Sequence, residues 1–365
     1  MPAFYRKYRP RKFSDVLGQE ENVAILKAAA IMGRLGHAYL FYGPRGTGKT
    51  TMARLIAMLA NCEKRIHDPK FAALGEPCGE CARCKEADGG NALDIIEIDA
   101  ASNRGIDEIR NLKESIRVSP SVGKYKIYII DEAHMLTGAA FNALLKTLEE
   151  PPAHAIIILA TTEYEKIPST ISSRCQRFPF RRLPKSEIVK KLAAIVKNEG
   201  LVAEEAVLSI IASAAEGSLR DAESLLDQLS ATGTLTASSA ENILGRVGSK
   251  RVEELARYIA EKNITAAAHY ISILENEGVN MTPFTKDLIH YLRKALTLRL
   301  SPASKEIIKE EHTDSEMQAL ESIAGKINEA DAVRVLRALI RAYSEMRYSP
   351  LGSVPLEVVL TEQLT

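Results

Sequence analysis

Two groups of residues in this chain have the types and spacing to do chemistry. The first is FYGPRGTGKTT, residues 41–51, in which Gly43, Gly46, Gly48, Lys49 and Thr50 stand at the spacing of a phosphate-binding loop. Glycines there let backbone N–H groups turn inward around a triphosphate, with Pro44, Arg45, Thr47 and Thr51 completing the cradle. Lys49 places a point charge between the outer phosphates, and the Thr50 hydroxyl can ligate Mg²⁺. The second group is NCEKRIHDPKFAALGEPCGECARC, which carries Cys62, Cys78, Cys81 and Cys84. Four thiolates can surround one tetrahedral cation, with Cys62 folding back as the fourth ligand. A four-cysteine set leaves no open position for water, so a structural Zn²⁺ is the expected occupant. Iron–sulfur ligation and reduced, unligated thiols are the alternatives. His67, inside this segment, is expected at the surface.

These residues need elements to hold them. YLFY before the loop reads as a buried strand, and TTMARLIAMLAN after it has helical apolar spacing. Further apolar runs follow at 93–99, 126–134, 155–162 and 177–181, separated by helical stretches such as GIDEIRNLKESI and GAAFNALLKTLEE. Such alternation predicts a doubly wound α/β domain on a parallel sheet, with its ligand at the carboxyl ends of the strands. Asp131 and Glu132 close the third strand. One acid there can complete the Mg²⁺ shell while the other orients and deprotonates water. Thr161 and Thr162 close the fourth, and either hydroxyl can reach a γ-phosphate or the water.

A length of 365 residues suggests two or three domains, and 48 Lys+Arg against 47 Asp+Glu leaves no overall basic field for nucleic acid. Five cysteines, four of them in one group, do not make a secreted disulfide framework. The start MPAFYRKYRPRKF lacks a signal-peptide apolar core, and no run approaches the ~18 apolar residues of a membrane span. A soluble, cytoplasmic protein is expected.

GPRGTGKT, IIDEAHML, FNALLKTLEEPP, LATT, STISSRCQRF and EGSLRDAESLLDQ, in this order, resemble an AAA+ clamp-loader ATPase. The four-cysteine insert narrows the resemblance to the gamma/tau subunits of bacterial DNA polymerase III. The resemblance implies an AAA+ P-loop NTPase domain at 1–178 with a zinc-binding insert at 62–84, a helical lid at 179–244 and a helical collar for oligomerisation at 245–365. By position it implies Thr162 as first sensor, Arg220 in GSLRD as second sensor, and Arg174 in SSRC as a finger reaching the ATP of a neighbouring subunit. The segment YRKYRPRKFSDVLGQE would close over the adenine, with Val16 and Leu17 offering apolar contact; from the residues alone it is a basic arm ending at a helix start. The implied activity is ATP-driven loading of a sliding clamp onto primer-template DNA within a hetero-pentamer at the bacterial nucleoid. The alternative is a related motor that remodels DNA junctions or protein complexes. Tau-type chains continue beyond the length of this one. No second carboxylate set suggests a two-metal polymerase centre.

The last part of the chain is helical in pattern. Residues 187–199, 204–216 and 218–231 read as three short helices between glycine-containing breaks. Pro283 suits a first helical turn. In DAVRVLRALIRAYSEM, Val333, Leu336, Ile340 and Tyr343 form an apolar stripe expected in the core. Cys175 is expected as a buried packing residue. For DNA, Arg104 at a helix start and the nearby Lys124 and Lys126 are candidates, with a solvated loop the equal alternative.

Overall fold

A computed structural model describes residues 3–103, 106–231, 233, 235–237, 239–240, 249–309, 314–346, 348–349 and 352–364. The chain divides into two compact units, Met1–Leu183 with Ser218–Arg220, and Pro184–Gly217 with Asp221–Thr365.

In the first unit, β1 (Ala38–Tyr42), β2 (Ile95–Asp99), β3 (Lys126–Asp131), β4 (Ala155–Thr161) and β5 (Gln176–Pro179) form one sheet in the order β2-β3-β4-β1-β5. Every pairing is parallel. Successive side chains enter opposite layers, as the pleat requires. Tyr39, Phe41, Ile129 and Ile158 pack with Met52, Ile56 and Leu59 of the helix Lys49–Ala60. Leu40, Ile130, Ile157 and Leu159 pack with Ile116 of the helix Ile106–Arg117 and with Phe141 and Leu144 of the helix Gly138–Glu149. Both faces are covered, so AIIILAT of β4 is apolar at nearly every position and buried throughout. Each isoleucine or leucine buried there contributes about 1.5–3 kcal/mol.

Parallel pairing brings the carboxyl ends of the strands to one edge. Tyr42 lies opposite Thr161 and Asp99 opposite Asp131. The phosphate-binding loop leaves β1 there, between strand and helix.

Residues 4–17 are folded and tied down, where sequence alone gave a basic arm. They include a helix at Phe4–Lys7 and a 3-10 turn at Phe13–Asp15 with Phe13 buried. The backbone N–H groups of Phe13 and Ser14 donate to the Glu76 carboxylate at 2.7 and 3.1 Å, and Lys27 pairs with the same group at 2.9 Å. Glu76 belongs to the cysteine-bearing insert, whose path from Cys62 runs through the short helices Glu63–His67 and Pro69–Ala72. Asp68 caps the second by accepting from the N–H groups of Lys70 and Phe71.

The second unit is helical. Lys185–Asn198 and Glu205–Ala214 precede the rest of Leu219–Ser230. Then come Ser249–Ala260, Ile264–Asn276, Met281–Leu300, Asp314–Lys326, Glu329–Glu345 and Val354–Leu364, packed around Leu255, Ile271, Phe284, Leu320 and Leu339. Asn263, Asn280 and Asn328 cap three of these helices, and Pro283 falls in a first turn. The expected stripe on Glu329–Glu345 is corrected. Only Leu336 of its four members is in the core; Val333 and Ile340 are 39% and 54% exposed, and Tyr343 is half-buried. The buried face is Ala332, Val335, Leu336, Leu339 and Ala342. No described helix is long and apolar enough to cross a membrane.

Candidate nucleotide site and metal centre

The loop after β1 turns through left-handed backbone at Gly46 (φ 73°) and Gly48 (φ 99°), which glycine adopts without strain. A Cβ on Gly43 would stand 2.2 Å from the Phe180 carbonyl oxygen, and one on Gly46 would stand 1.8 Å from the Ser218 hydroxyl, so close approach also requires both. Thr47 donates its hydroxyl to the Pro44 carbonyl at 2.9 Å, Arg45 is exposed, and Thr51 is half-buried in the first turn after the loop. The Lys49 ammonium is buried and donates to the carbonyls of Gly43 and Pro44 at 2.8 and 2.7 Å. Burial pushes its pKa below the ordinary lysine value, opposed by the charges of Glu132 and Asp131.

Thr50 donates its hydroxyl to Asp131 Oδ2 at 2.7 Å, although 81 positions separate them. The two hard oxygen ligands expected for Mg²⁺ are therefore side by side, and the donor set fits that ion. Glu132 is a non-glycine residue in left-handed backbone (φ 46°). Its Oε2 accepts from the Thr162 hydroxyl at 2.9 Å and the Thr162 N–H at 3.3 Å. Thr161 is fully buried and turned to His134 Nδ1, 3.0 Å away. Of the two threonines, Thr162 thus faces the acid and Thr161 the ring.

Ser218–Arg220 pack with this unit. The Leu219 N–H donates to the Gly46 carbonyl at 3.1 Å, and the Arg220 guanidinium lies over the Tyr5 ring at 5.1 Å. Val16 and Leu17 are half-buried, with Val16 packed on the core beside β1. Arg174 follows the short helix Ser169–Ser172. It donates from Nε to Glu149 at 3.0 Å and from Nη1 to the Thr170 carbonyl at 2.6 Å, with a third of its side chain exposed.

In the insert, the sulfur atoms of Cys62, Cys78, Cys81 and Cys84 all lie within 4.8 Å of one another. Cys78 and Cys84 are 3.9 Å apart, close to the ~3.8 Å edge of a tetrahedron with metal–sulfur bonds of about 2.3 Å. N–H groups of Glu80 and Cys81 donate to Cys78 Sγ, and that of Cys78 to Cys62 Sγ; at Cys78 burial pushes the thiol up and outweighs these two amides, which draw it down. The hydrogen bond from Cys84 draws Cys62 down to about 4, while that same bond and burial push Cys84 up. Soft donors in this arrangement fit Zn²⁺. His67 is exposed and outside the group.

Cys175 and the three DNA candidates fare differently from one another. Cys175 is half-buried, not buried, and packs beside the core, where desolvation pushes its thiol up to about 12. Lys126 is withdrawn from the DNA candidates: it is buried at the start of β3 and donates to the Ser115 carbonyl at 3.1 Å. Lys124 is exposed beside Tyr125, and Arg104 lies outside the described residues. Sequence reasoning missed His134, Glu149 and Glu76. The fourth letter of DEAH was a signal for the first, since a histidine two positions after Glu132 shares its strand end; nothing local marked the other two.

The strand order and the loop after β1 define an AAA+ P-loop NTPase fold. Family models match in succession: "DNA polymerase III, delta subunit" at residues 18–184, "DNA polymerase III clamp loader subunit, ATPase lid domain" at 187–234, and "DNA polymerase III subunits gamma and tau domain III" at 235–362. The chain is 42% identical to DNA polymerase III subunit tau of Bacillus subtilis over 99% of its own length and 62% of that protein. It is 36% identical to subunit tau of Escherichia coli over 98% of its length and 54% of that protein. Subunit gamma of Buchnera aphidicola is 33% identical over 97% of this chain and 94% of its own. The chain belongs to the family of DNA polymerase III gamma and tau subunits, and spans between half and two thirds of the two tau chains.

Proposed function

We propose that this chain is an ATP-hydrolysing motor subunit of a clamp loader, which uses ATP to open a sliding clamp and place it on primer-template DNA. The observation that carries the reading is the Thr50–Asp131 contact at 2.7 Å, which joins the phosphate-binding loop to the acid pair in a chain of this family. Residues 1–178 form the ATPase domain, 179–244 the lid and 245–365 the collar that assembles it with other loader subunits in a pentamer. The complex works in the cytoplasm at the nucleoid.

ATP lies along the loop from Gly43 to Thr51, with its adenine against Val16 and Leu17. Thr50 and Asp131 hold Mg²⁺, which neutralises phosphate charge when bound. Lys49 exchanges the Gly43 and Pro44 carbonyls for phosphate oxygens. Glu132 takes a proton from water as the water oxygen bonds the γ-phosphorus and the bond to the β-phosphate bridge breaks, releasing ADP and phosphate. Thr162 and Arg220 sense the γ-phosphate, and Arg174 of one subunit leaves Glu149 to reach the ATP of the next. The four cysteines hold a structural Zn²⁺.

The test is hydrolysis by the reconstituted complex. Stimulation that requires clamp and primed DNA together supports this reading, whereas stimulation by a branched junction without clamp favours the junction-remodelling alternative. Arg174→Ala should lower turnover of the assembled complex by about 10³-fold, the scale of an arginine finger. Normal turnover would remove Arg174 from the neighbouring site.

A further inference from the structure

Glu132 and Thr162 stand at the ends of different strands, and the ring of His134 joins those ends. His134 Nδ1 lies 3.0 Å from Thr161 Oγ1 and 3.4 Å from Glu132 Oε2, and Nε2 lies 3.1 Å from Glu163 Oε1. The side chain is only 7% exposed. A carboxylate oxygen only accepts, so Nε2 carries a hydrogen toward Glu163. The Glu163 N–H in turn donates to Thr161 Oγ1 at 3.0 Å, and Lys166 holds the second Glu163 oxygen at 2.8 Å. The turn from Thr161 to Glu163 is therefore fastened on both sides of Thr162, and the fastening runs through one imidazole.

On the other strand end, left-handed backbone at Glu132 is a conformation that surrounding contacts must maintain. Among the described residues, Thr162 donates to its carboxylate from hydroxyl and amide, and the imidazole edge lies beside the same oxygen at 3.4 Å. We propose that His134 is a positioning residue for hydrolysis, fixing the separation between Glu132 and Thr162 so that a water between them and a γ-phosphate stays aligned. This rests on the reading of Glu132 as base and Thr162 as sensor. His134 touches neither the phosphate-binding loop nor Val16 in the contacts above, so its loss should act on the chemical step and spare nucleotide binding.

The experiment compares His134→Ala, His134→Asn, His134→Gln and Glu132→Gln in the reconstituted complex. Single-turnover hydrolysis, affinity for a fluorescent ATP analogue and melting temperature are read for each. His134→Ala should lower the hydrolysis rate by about 10–100-fold, with affinity changed by less than about two-fold. Asn or Gln, which restores one of the two ring contacts, should recover several-fold of that loss. A rate within about two-fold of the parent for His134→Ala overturns the inference. So does a joint loss of rate, affinity and melting temperature that neither amide relieves, because that pattern is a folding defect. Glu132→Gln separates the layers: if it hydrolyses normally, the base assignment fails; if it is inactive while His134→Ala is normal, only the positioning role fails.

Discussion

The nucleotide site and the cysteine cluster lie in the same unit, yet their polar atoms are satisfied in opposite ways. Lys49 is held by carbonyls of its own loop, and Glu132 by a hydroxyl and an amide of Thr162. Each is a weak partner that a phosphate or a water can replace. The four sulfur atoms converge on one point, three of the cysteines are buried, and neighbouring backbone amides turn toward the sulfurs. The first region is arranged to change partners and the second to keep them. On the proposed reading, function concentrates where the bonds are exchangeable, and stability where they are closed.

Experiments can sharpen or break this contrast. The largest effect belongs to the exchangeable side: Lys49→Ala should reduce hydrolysis by about 10³-fold, yet leave the melting temperature within a few degrees because a buried, desolvated charge is removed. A large drop in melting temperature would mean that the loop is a structural element after all. Next, Cys84→Ser, or a chelator strong enough to strip zinc, should destabilise the first unit by about 3 kcal/mol or more. Zinc content measured on the purified protein decides the ion, and unchanged unfolding after stripping would contradict the closed-site view.

A smaller effect is expected at Asp94, a second closed site, built from backbone amides around a carboxylate. Burial pushes its carboxyl up, but hydrogen bonds from the N–H groups of Gly123, Ser121 and Val122 outweigh burial and hold it below the ordinary aspartate value. A carboxyl depressed in the folded state contributes stability that is full above the unfolded value and lost as pH falls through the folded one. Asp94→Asn should cost about 1–3 kcal/mol at neutral pH and flatten the acid limb of a stability–pH curve. An unaltered acid limb would show that Asp94 contributes nothing to it. The smallest effect is at Ile340. Ile340→Ser should change stability by about 0.5 kcal/mol or less, whereas Leu339→Ala one position away should cost about 2–5 kcal/mol. Equal effects would reinstate the stripe expected from the sequence.

That stripe shows where sequence reading lost its phase. Ala332, Val335, Leu339 and Ala342 satisfy helical spacing as well as Val333, Ile340 and Tyr343 do, and the two sets differ by one residue, about 100° around the helix. Two of the true core positions are alanines, which apolar scoring undervalues against isoleucine and tyrosine. Lys126 misled for the related reason that a lysine stem can be buried when a carbonyl takes its head. The strands, their parallel sheet and the phosphate-binding loop were legible, because they rest on local patterns and on the rule that parallel sheets gather their carboxyl ends; the order of the strands in the sheet was not. The cysteine group was legible for the same local reason. The His134 bridge was not, because its partners Thr161 and Glu163 lie about 30 residues away on another strand.

Glu76 carries a further consequence. Two backbone amides near the amino terminus, the buried one of Phe13 and the part-buried one of Ser14, donate to this one insert carboxylate. Buried amides do not go without an acceptor. A relative whose first helix ran on without the cysteine loop would have to recruit another oxygen for them, so the loop cannot be trimmed as an independent ornament without reshaping the start of the chain.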